Sequence, residues 1–150
     1  MTPSWPILDR VDIMSAAMSA LMADGASAEG DRDAVGIARI RCTAPGRVVG
    51  LPVLKEVFGR FGARVRPLFQ DGEVAQIGAV IAEIGGPIAA IRGASPTAIR
   101  FLTRLSAVAG ARVQADDADP LEAWAAAIGR LSPVASVGDA GPSFELEVDP

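Results

Sequence analysis

The sequence predicts an α+β fold in which a small, mostly antiparallel sheet of barrel-sandwich-like hairpins carries helices packed on one side. Three observations support this class. Apolar residues recur at helical spacing near both ends of the chain and in its middle. From Val35 they alternate with polar residues instead, and glycine-containing turns separate the short segments that follow. At 150 residues, the chain is long enough for one domain with its own core.

Composition excludes several classes of function. A formal net charge of -4 and a single lysine, Lys55, disfavour binding to nucleic acid or to an anionic membrane. One cysteine, Cys42, and no histidine exclude an internal disulfide, a cysteine metal cluster and imidazole catalysis. We therefore expect no catalytic residue, no metal and no cofactor. No signal peptide or membrane span is recognisable, which predicts a cytoplasmic protein, and abundant Ala, Gly and Arg without Asn or Tyr are typical of a GC-rich bacterial gene.

Residues 1–34 are predicted to form an extended arm, a helix and a loop. Asp9 is placed to cap the helix, which should end at Asp24-Gly25. The residues at helical spacing are Val11, Met14, Ala17, Met18, Leu21 and Met22. A methionine-rich stripe is typical of a core or an interface, because thioethers fill irregular gaps. We predict that Met14, Met18 and Met22, together with Trp5 in the arm, contribute to an interface.

Residues 35–110 are predicted to form the α+β domain itself. Ala38, Ile40 and Cys42 should form the buried side of its first strand, because they alternate with arginines. The remaining predictions are a second strand at 47–49, a helix from Pro52 to Phe61, strands within 63–69, 73–75, 79–84 and 88–92, turns at 71–72 and 78, and a break at 85–87. The hairpins are similar to those of lipoyl and biotinyl carrier domains, but Lys55 lies in a predicted helix, so a carrier function is rejected.

The longest helical pattern runs from Ser95 to Gly110. Ser95 is predicted to cap it, Pro96 to occupy its first position, and Gly110 to end it in a left-handed conformation. The predicted core face consists of Ala98, Ile99, Phe101, Leu102, Leu105, Ser106, Val108 and Ala109, and the opposite face of Thr97, Arg100, Thr103 and Arg104. The two arginines either hold an anion or simply face water, and a solvated face is the more common arrangement.

Residues 111–150 are predicted to form a helix, a linker and an acidic tail strand. Asp119 should cap the helix and Pro120 should lie in its first turn, with Trp124 on the apolar face as a further interface residue. Asp116, Asp117 and Asp119 could be read as a metal or magnesium-phosphate site, but carboxylates before a helix more often complement its dipole. Residues 132–142 read as a linker. Apolar and acidic residues then alternate over 144–149, which predicts a strand along a sheet edge in this molecule or in another.

Three separated stretches within about residues 35–110 resemble a known family. They are 44–52 with Glu56-Val57-Phe58, then Asp71-Gly72-Glu73-Val74 running to Gly78, Ile81-Ala82 and Gly86-Pro87, and finally 98–109, especially Phe101-Leu102 and Arg104-Leu105-Ser106. In this order they are similar to the N-terminal domain of quinolinate phosphoribosyltransferases, the carboxylating nicotinate-nucleotide pyrophosphorylases.

The resemblance implies a shared active site. In that family an α/β barrel follows the N-terminal domain, and the active site forms where the barrel meets the N-terminal domain of a neighbouring subunit. A barrel requires about 200–250 residues, so we do not expect one within residues 111–150. The resemblance also implies a carboxylate-binding arginine where this chain has Pro96 and an asparagine where it has Arg100, whereas Arg104 matches a family arginine.

We therefore expect a non-catalytic binding or assembly module, acting as a homo-oligomer or with a barrel-type or other protein subunit. The alternative is an accessory subunit of a split phosphoribosyltransferase that completes an active site on a separate barrel chain. In that case Arg100 and Arg104 would hold an anionic substrate. A third hypothesis is a sensor of a phosphorylated or dicarboxylate metabolite.

Overall fold

The structure is a computed structural model that describes residues 6–27, 34–111, 113–131 and 142–149. Its elements are α1 (Arg10–Ala23), β1 (Val35–Ala44), β2 (Gly46–Arg47), α2 (Leu51–Gly59), β3 (Arg64–Pro67), β4 (Val74–Ala75), β5 (Val80–Pro87), α3 (Ile88–Ala109), α4 (Pro120–Leu131) and β6 (Ser143–Asp149). An antiparallel sheet has the strand order β3-β5-β1-β6, and β2 pairs with β4 in a second, two-stranded sheet. This arrangement confirms the α+β class. Among the described residues, no helix has the length and apolar character needed to span a bilayer.

The core lies between the four-stranded sheet and the helices. Ala38, Ile40 and Cys42 of β1 are buried there, as the alternation predicts. The largest fully buried side chains also come from α2, β5, α3 and α4 and include Phe58, Leu54, Ile81, Ile84, Leu102, Leu105 and Ile128. A single hydrophobic cluster thus joins both ends of the chain.

The other face of the sheet carries charged residues of alternating sign. The register places Arg39 of β1 between Glu83 of β5 and Glu147 of β6, and Arg66 of β3 opposite Glu83. Opposite charges on neighbouring strands stabilise a sheet. Arg41 Nε donates to Glu147 at 2.9 Å. The acidic tail therefore forms an edge strand in this molecule, on the arginine-bearing strand β1.

Helix α3 begins at Ile88, eight residues before Pro96, its predicted first position. The predicted strand at 88–92 is wrong, because Ile88 to Arg92 form the first turns of α3. Pro96 lies inside the helix, where its ring nitrogen cannot donate to the carbonyl of Arg92. Ser95 Oγ donates to that carbonyl at 3.2 Å instead. Ser95 is therefore not a cap, and its hydroxyl replaces the hydrogen bond that Pro96 cannot make.

The end of α3 and two other segments also differ from the predictions. Gly110 has a φ of -82°, so the predicted left-handed glycine is wrong, and Ala111 adopts that conformation with a φ of 57°. Strand β5 continues through 85–87, where a break was predicted. Of the predicted strand at 47–49, only Arg47 lies in a strand, β2, which pairs with β4 and not with β1.

Two predicted helix caps are confirmed. Asp9 Oδ1 accepts the N–H of Val11 at 2.9 Å, and Asp119 Oδ1 accepts the N–H of Leu121 at 2.9 Å. Each carboxylate satisfies a donor that the first helical turn leaves without a partner.

Candidate functional site

The three family-like stretches meet at residues 48–51, which we call the α2 junction because they lead into α2. Ser106 of α3 is fully buried and contacts this segment. Its Oγ accepts the N–H of Val49 at 3.0 Å and donates to the carbonyl of Val49 at 3.2 Å. One hydroxyl thus satisfies both backbone groups of a buried residue that belongs to no strand.

The turn at 71–73 holds the same junction from the other side. Asp71 Oδ1 accepts the N–H groups of Gly50 at 2.8 Å and Leu51 at 3.0 Å, and so caps α2. Burial raises the pKa of the Asp71 carboxyl, while the two backbone donors oppose that shift. Gly50 needs to be glycine, because its φ of 126° is a conformation that side chains rarely adopt.

Backbone hydrogen bonds complete the junction. The N–H of Val48 donates to the carbonyl of Glu73 at 2.8 Å, and the N–H of Gly72 donates to the carbonyl of Val48 at 2.8 Å. The side chains and glycines that carry the family resemblance here therefore hold the fold together.

Arg100 links α3 to the end of α1. Its guanidinium donates to Asp24 Oδ2 at 2.6 Å, and Thr97 Oγ1 donates to the same oxygen at 2.5 Å. The hydrogen bond from Arg100, followed by that from Thr97, lowers the pKa of Asp24. Thr97 is fully buried, so its predicted place on the outer face is wrong. The side chain of Arg100 is 59% exposed despite this contact.

Arg104 links α3 to α4 and to the loop between them. Its Nε and NH2 donate to the two carboxylate oxygens of Glu122 at 3.2 and 3.0 Å, and NH2 also donates to the carbonyl of Gln114 at 3.3 Å. This paired contact raises the pKa of Arg104 and lowers that of Glu122. Arg100 and Arg104 therefore each bind a carboxylate of the chain itself, and their role toward an external anion stays a prediction.

Four apolar side chains lie exposed along one side of α1, and we call them the α1 apolar row. The row consists of Val11 (69% exposed), Met14 (37%), Met18 (47%) and Met22 (76%). At about 100° per residue they fall within an arc of about 80°. Ala17 and Leu21 occupy the neighbouring arc and are buried against the core. One apolar side of α1 is therefore buried against the core, and the neighbouring apolar side is exposed to solvent.

The two tryptophans that were predicted at an interface differ in what the structure describes. Trp124 is only 7% exposed, and its indole N–H donates to the carbonyl of Pro6 at 3.3 Å. Most of its surface is thus already covered within the chain. Trp5 lies outside the described residues.

Pro96 is exposed on α3, one turn before Arg100. A pyrrolidine ring has neither charge nor donor, so it cannot replace the bidentate contact that an arginine makes with a carboxylate. In the part of the chain that the structure describes, no group of three or more Asp, Glu or Cys side chains is arranged to hold a metal ion.

Sequence reasoning did not identify the α2 junction, because its hydrogen bonds join residues about 20 to 57 positions apart. One signal was present. Ser106 falls on the apolar face of a helix, and a hydroxyl buried on such a face requires a hydrogen-bond partner.

Comparison with known proteins identifies the family. A sequence profile described as "Quinolinate phosphoribosyl transferase, N-terminal domain" matches residues 12–106. The chain belongs to this family. Among curated proteins, no sequence matches it.

Solved structures agree on the fold. The nicotinate-nucleotide pyrophosphorylase from Francisella tularensis is 20% identical with a TM-score of 0.63, over 73% of this chain and 41% of its own. NadC from Streptococcus pyogenes is 24% identical with a TM-score of 0.62, over 69% and 40%. A NadC deletion mutant is 20% identical with a TM-score of 0.69, over 83% and 53%. The chain thus corresponds to about two fifths to one half of each relative, and at these identities the likeness concerns the fold.

Proposed function

We propose that this chain is a non-catalytic assembly module, derived from the N-terminal domain of a phosphoribosyltransferase, that acts through self-association or a partner subunit. The observation that carries the proposal is the α1 apolar row. Exposed apolar side chains that are contiguous on one helix favour a protein contact, because burying them removes apolar surface from water. Methionine suits such a contact, since its flexible side chain adapts to irregular surfaces.

Two further observations support a role without catalysis. The residues at the α2 junction are occupied in holding α2, α3 and the turn at 71–73 together. Pro96 stands where the family resemblance implies a carboxylate-binding arginine, and Arg100 and Arg104 are bound to Asp24 and Glu122. The chain alone should therefore not turn over quinolinate with a phosphoribosyl donor, and measurable turnover would contradict the proposal.

Sedimentation equilibrium at micromolar concentrations tests the assembly role with a matched pair of variants. Met18→Lys places a charge in the α1 apolar row, whereas Ser19→Lys places the same charge on the next exposed position of α1. We expect Met18→Lys to weaken association about tenfold or more, because a buried ammonium loses its hydration. Ser19→Lys should leave association unchanged.

A second experiment tests the partner subunit. A barrel-type transferase chain from the same organism is mixed in turn with the wild-type chain, with Met18→Lys and with Ser19→Lys. Binding that Met18→Lys weakens and Ser19→Lys does not supports the proposal. A chain that stays monomeric and binds no such transferase contradicts it, as does an equal effect of the two substitutions.

The second candidate is an accessory subunit of a split phosphoribosyltransferase. Its support is the fold shared with pyrophosphorylase structures, together with the exposed guanidinium of Arg100. Arg100→Gln and Asp24→Asn both remove the ion pair between α1 and α3, but only the first removes the guanidinium. If Arg100 binds substrate, turnover of the reconstituted pair should fall with Arg100→Gln and persist with Asp24→Asn. Equal loss in both variants would assign Arg100 to the fold alone.

A further inference from the structure

A surface groove of about 550 Å³ lies between the first turns of α2 and the loop that follows β3. Its apolar lining comes from Leu51, Pro52, Pro67 and Phe69. Neither Arg100 nor Arg104 lines it, whereas Leu51 belongs to the α2 junction and Asp71 caps α2 there. Its volume is within the range of sites that hold small organic molecules.

The groove is held in shape by hydrogen bonds. Asp71 ties the loop to the N-terminus of α2, and the N–H of Gln70 donates to Glu73 Oε1 at 2.7 Å. The N–H of Leu68 donates to the carbonyl of Ile81 at 2.9 Å. Since both walls are fixed before a ligand arrives, binding would not have to order them.

Three polar side chains line the groove: Lys55, Gln70 and Asp71, whose carboxylate accepts the N–H groups of Gly50 and Leu51 at the start of α2. Lys55 and Gln70 are exposed. Among the described residues, no carboxylate lies within ion-pair distance of Lys55. The adjacent Glu56 pairs with Arg60 at 3.0 Å. An anion entering the groove would therefore meet the ammonium of Lys55 as its cationic partner.

We propose that this groove binds a small carboxylate that carries a short apolar chain or ring. The apolar body lies on the two prolines and Phe69, and the carboxylate pairs with Lys55. The amide of Gln70 can donate a further hydrogen bond to the same carboxylate. This site is independent of the assembly role, because it uses none of the α1 apolar row.

Amide chemical-shift titrations of the full chain test the site with four probes: hexanoate, butanoate, acetate and hexan-1-ol. Each fully buried methylene strengthens binding about fourfold, so the order should be hexanoate, then butanoate, then acetate. Hexan-1-ol should bind more weakly than hexanoate, since it lacks the charge. The shifts should centre on the backbone amides of Leu51, Phe69 and Gln70.

Three variants test whether the ammonium of Lys55 pairs with the carboxylate of the ligand. Lys55→Gln should weaken hexanoate about two- to fivefold, the range of an exposed ion pair, and leave hexan-1-ol unchanged. Gln70→Glu keeps the size of the side chain and should also weaken hexanoate. Arg66→Gln removes an exposed cation from the sheet face and should have no effect. Hexanol binding as tightly as hexanoate, shifts centred elsewhere, no saturable shift, or equal effects of Lys55→Gln and Arg66→Gln would each overturn the proposal.

Discussion

The α2 junction and the α1 apolar row differ in how fully their groups are used inside the chain. At the junction, Ser106 and Asp71 satisfy backbone groups of Val49, Gly50 and Leu51. Along α1, by contrast, apolar side chains that could fill a core remain exposed. The three stretches that carry the motif resemblance meet at the first region, whereas the second lies outside them, within the longer segment that the family profile matches.

This difference separates what the family resemblance explains from what it leaves open. Ser106 and Asp71 stabilise the fold, because their side chains satisfy backbone groups at the α2 junction that would otherwise lack a partner. The side chains of the α1 apolar row, by contrast, are exposed and do not form part of the buried core. We therefore expect a contact with another chain at the α1 apolar row and not at the α2 junction.

The largest effect on stability is expected at Ser106. Ser106→Ala leaves the buried N–H of Val49 without its partner and should lower the free energy of unfolding by about 1–3 kcal/mol. Ser95→Ala is the matched control, since that hydroxyl serves one partly exposed carbonyl and should matter less. Urea unfolding of both variants measures the difference. Equal losses would show that the buried hydrogen bonds of Ser106 stabilise the fold no more than the exposed hydrogen bond of Ser95 does.

The next largest effect on stability is expected when the cap at Asp71 is removed. Asp71→Ala removes the acceptor for two N–H groups and should cost about 0.5–2 kcal/mol in the free energy of unfolding. Urea unfolding at neutral pH provides the measurement. A loss confined to α2 amides in hydrogen exchange would sharpen the assignment, and an unchanged unfolding midpoint would contradict it.

The pH dependence of stability should have opposite signs at Asp71 and Asp24. Burial raises the pKa of Asp71, so its contribution to stability is present below its unfolded pKa and falls as pH rises through the folded value. The hydrogen bond from Arg100 lowers the pKa of Asp24, so its contribution is present above the unfolded pKa and is lost as pH falls through the folded value.

Asparagine variants at Asp71 and Asp24 measure how the contribution of each carboxyl to stability changes with pH. Between about pH 3 and 6, the wild-type advantage over Asp71→Asn should shrink as pH rises, and the advantage over Asp24→Asn should grow. Unfolding by urea at several pH values tests both. Slopes of the same sign would contradict the environments assigned to the two carboxyls.

The smallest effect is expected where α3 meets α4. Arg104→Gln breaks a paired contact with Glu122, but the arginine side chain is 45% exposed. Solvent screening limits the expected loss to about 0.2–1 kcal/mol. Thermal unfolding at low and at high salt gives the test, because the difference from wild type should decrease with salt. A loss that is large and independent of salt would show that packing, and not charge, dominates there.

The sequence was sufficient for the elements whose signals are local. The alternation in β1, the cap at Asp9 and the acidic strand at the C-terminal end follow from neighbouring residues, and the structure confirms them. The start of α3 could not be predicted in this way. Ser95-Pro96 is a typical helix start, and only the contact between Ser95 Oγ and the carbonyl of Arg92 allows the helix to continue through it.

The site residues were harder to predict because their partners are distant in sequence. Asp24 is 76 positions from Arg100, and Glu122 is 18 from Arg104. The pattern of α3 alone placed both arginines on an outer face, without indicating the carboxylates that bind them. In α1 the spacing grouped six apolar residues in one stripe, whereas the structure divides them into a buried pair and the exposed row.

Methionine methyl NMR tests the central claim most directly. With methyl-labelled methionine, the signals of Met14, Met18 and Met22 report on the α1 apolar row, while sedimentation of the same samples reports the mass. We predict that these three signals shift or broaden as the protein, or its transferase partner, is added and the mass increases. An increase in mass that leaves all three signals unchanged would contradict an interface on α1.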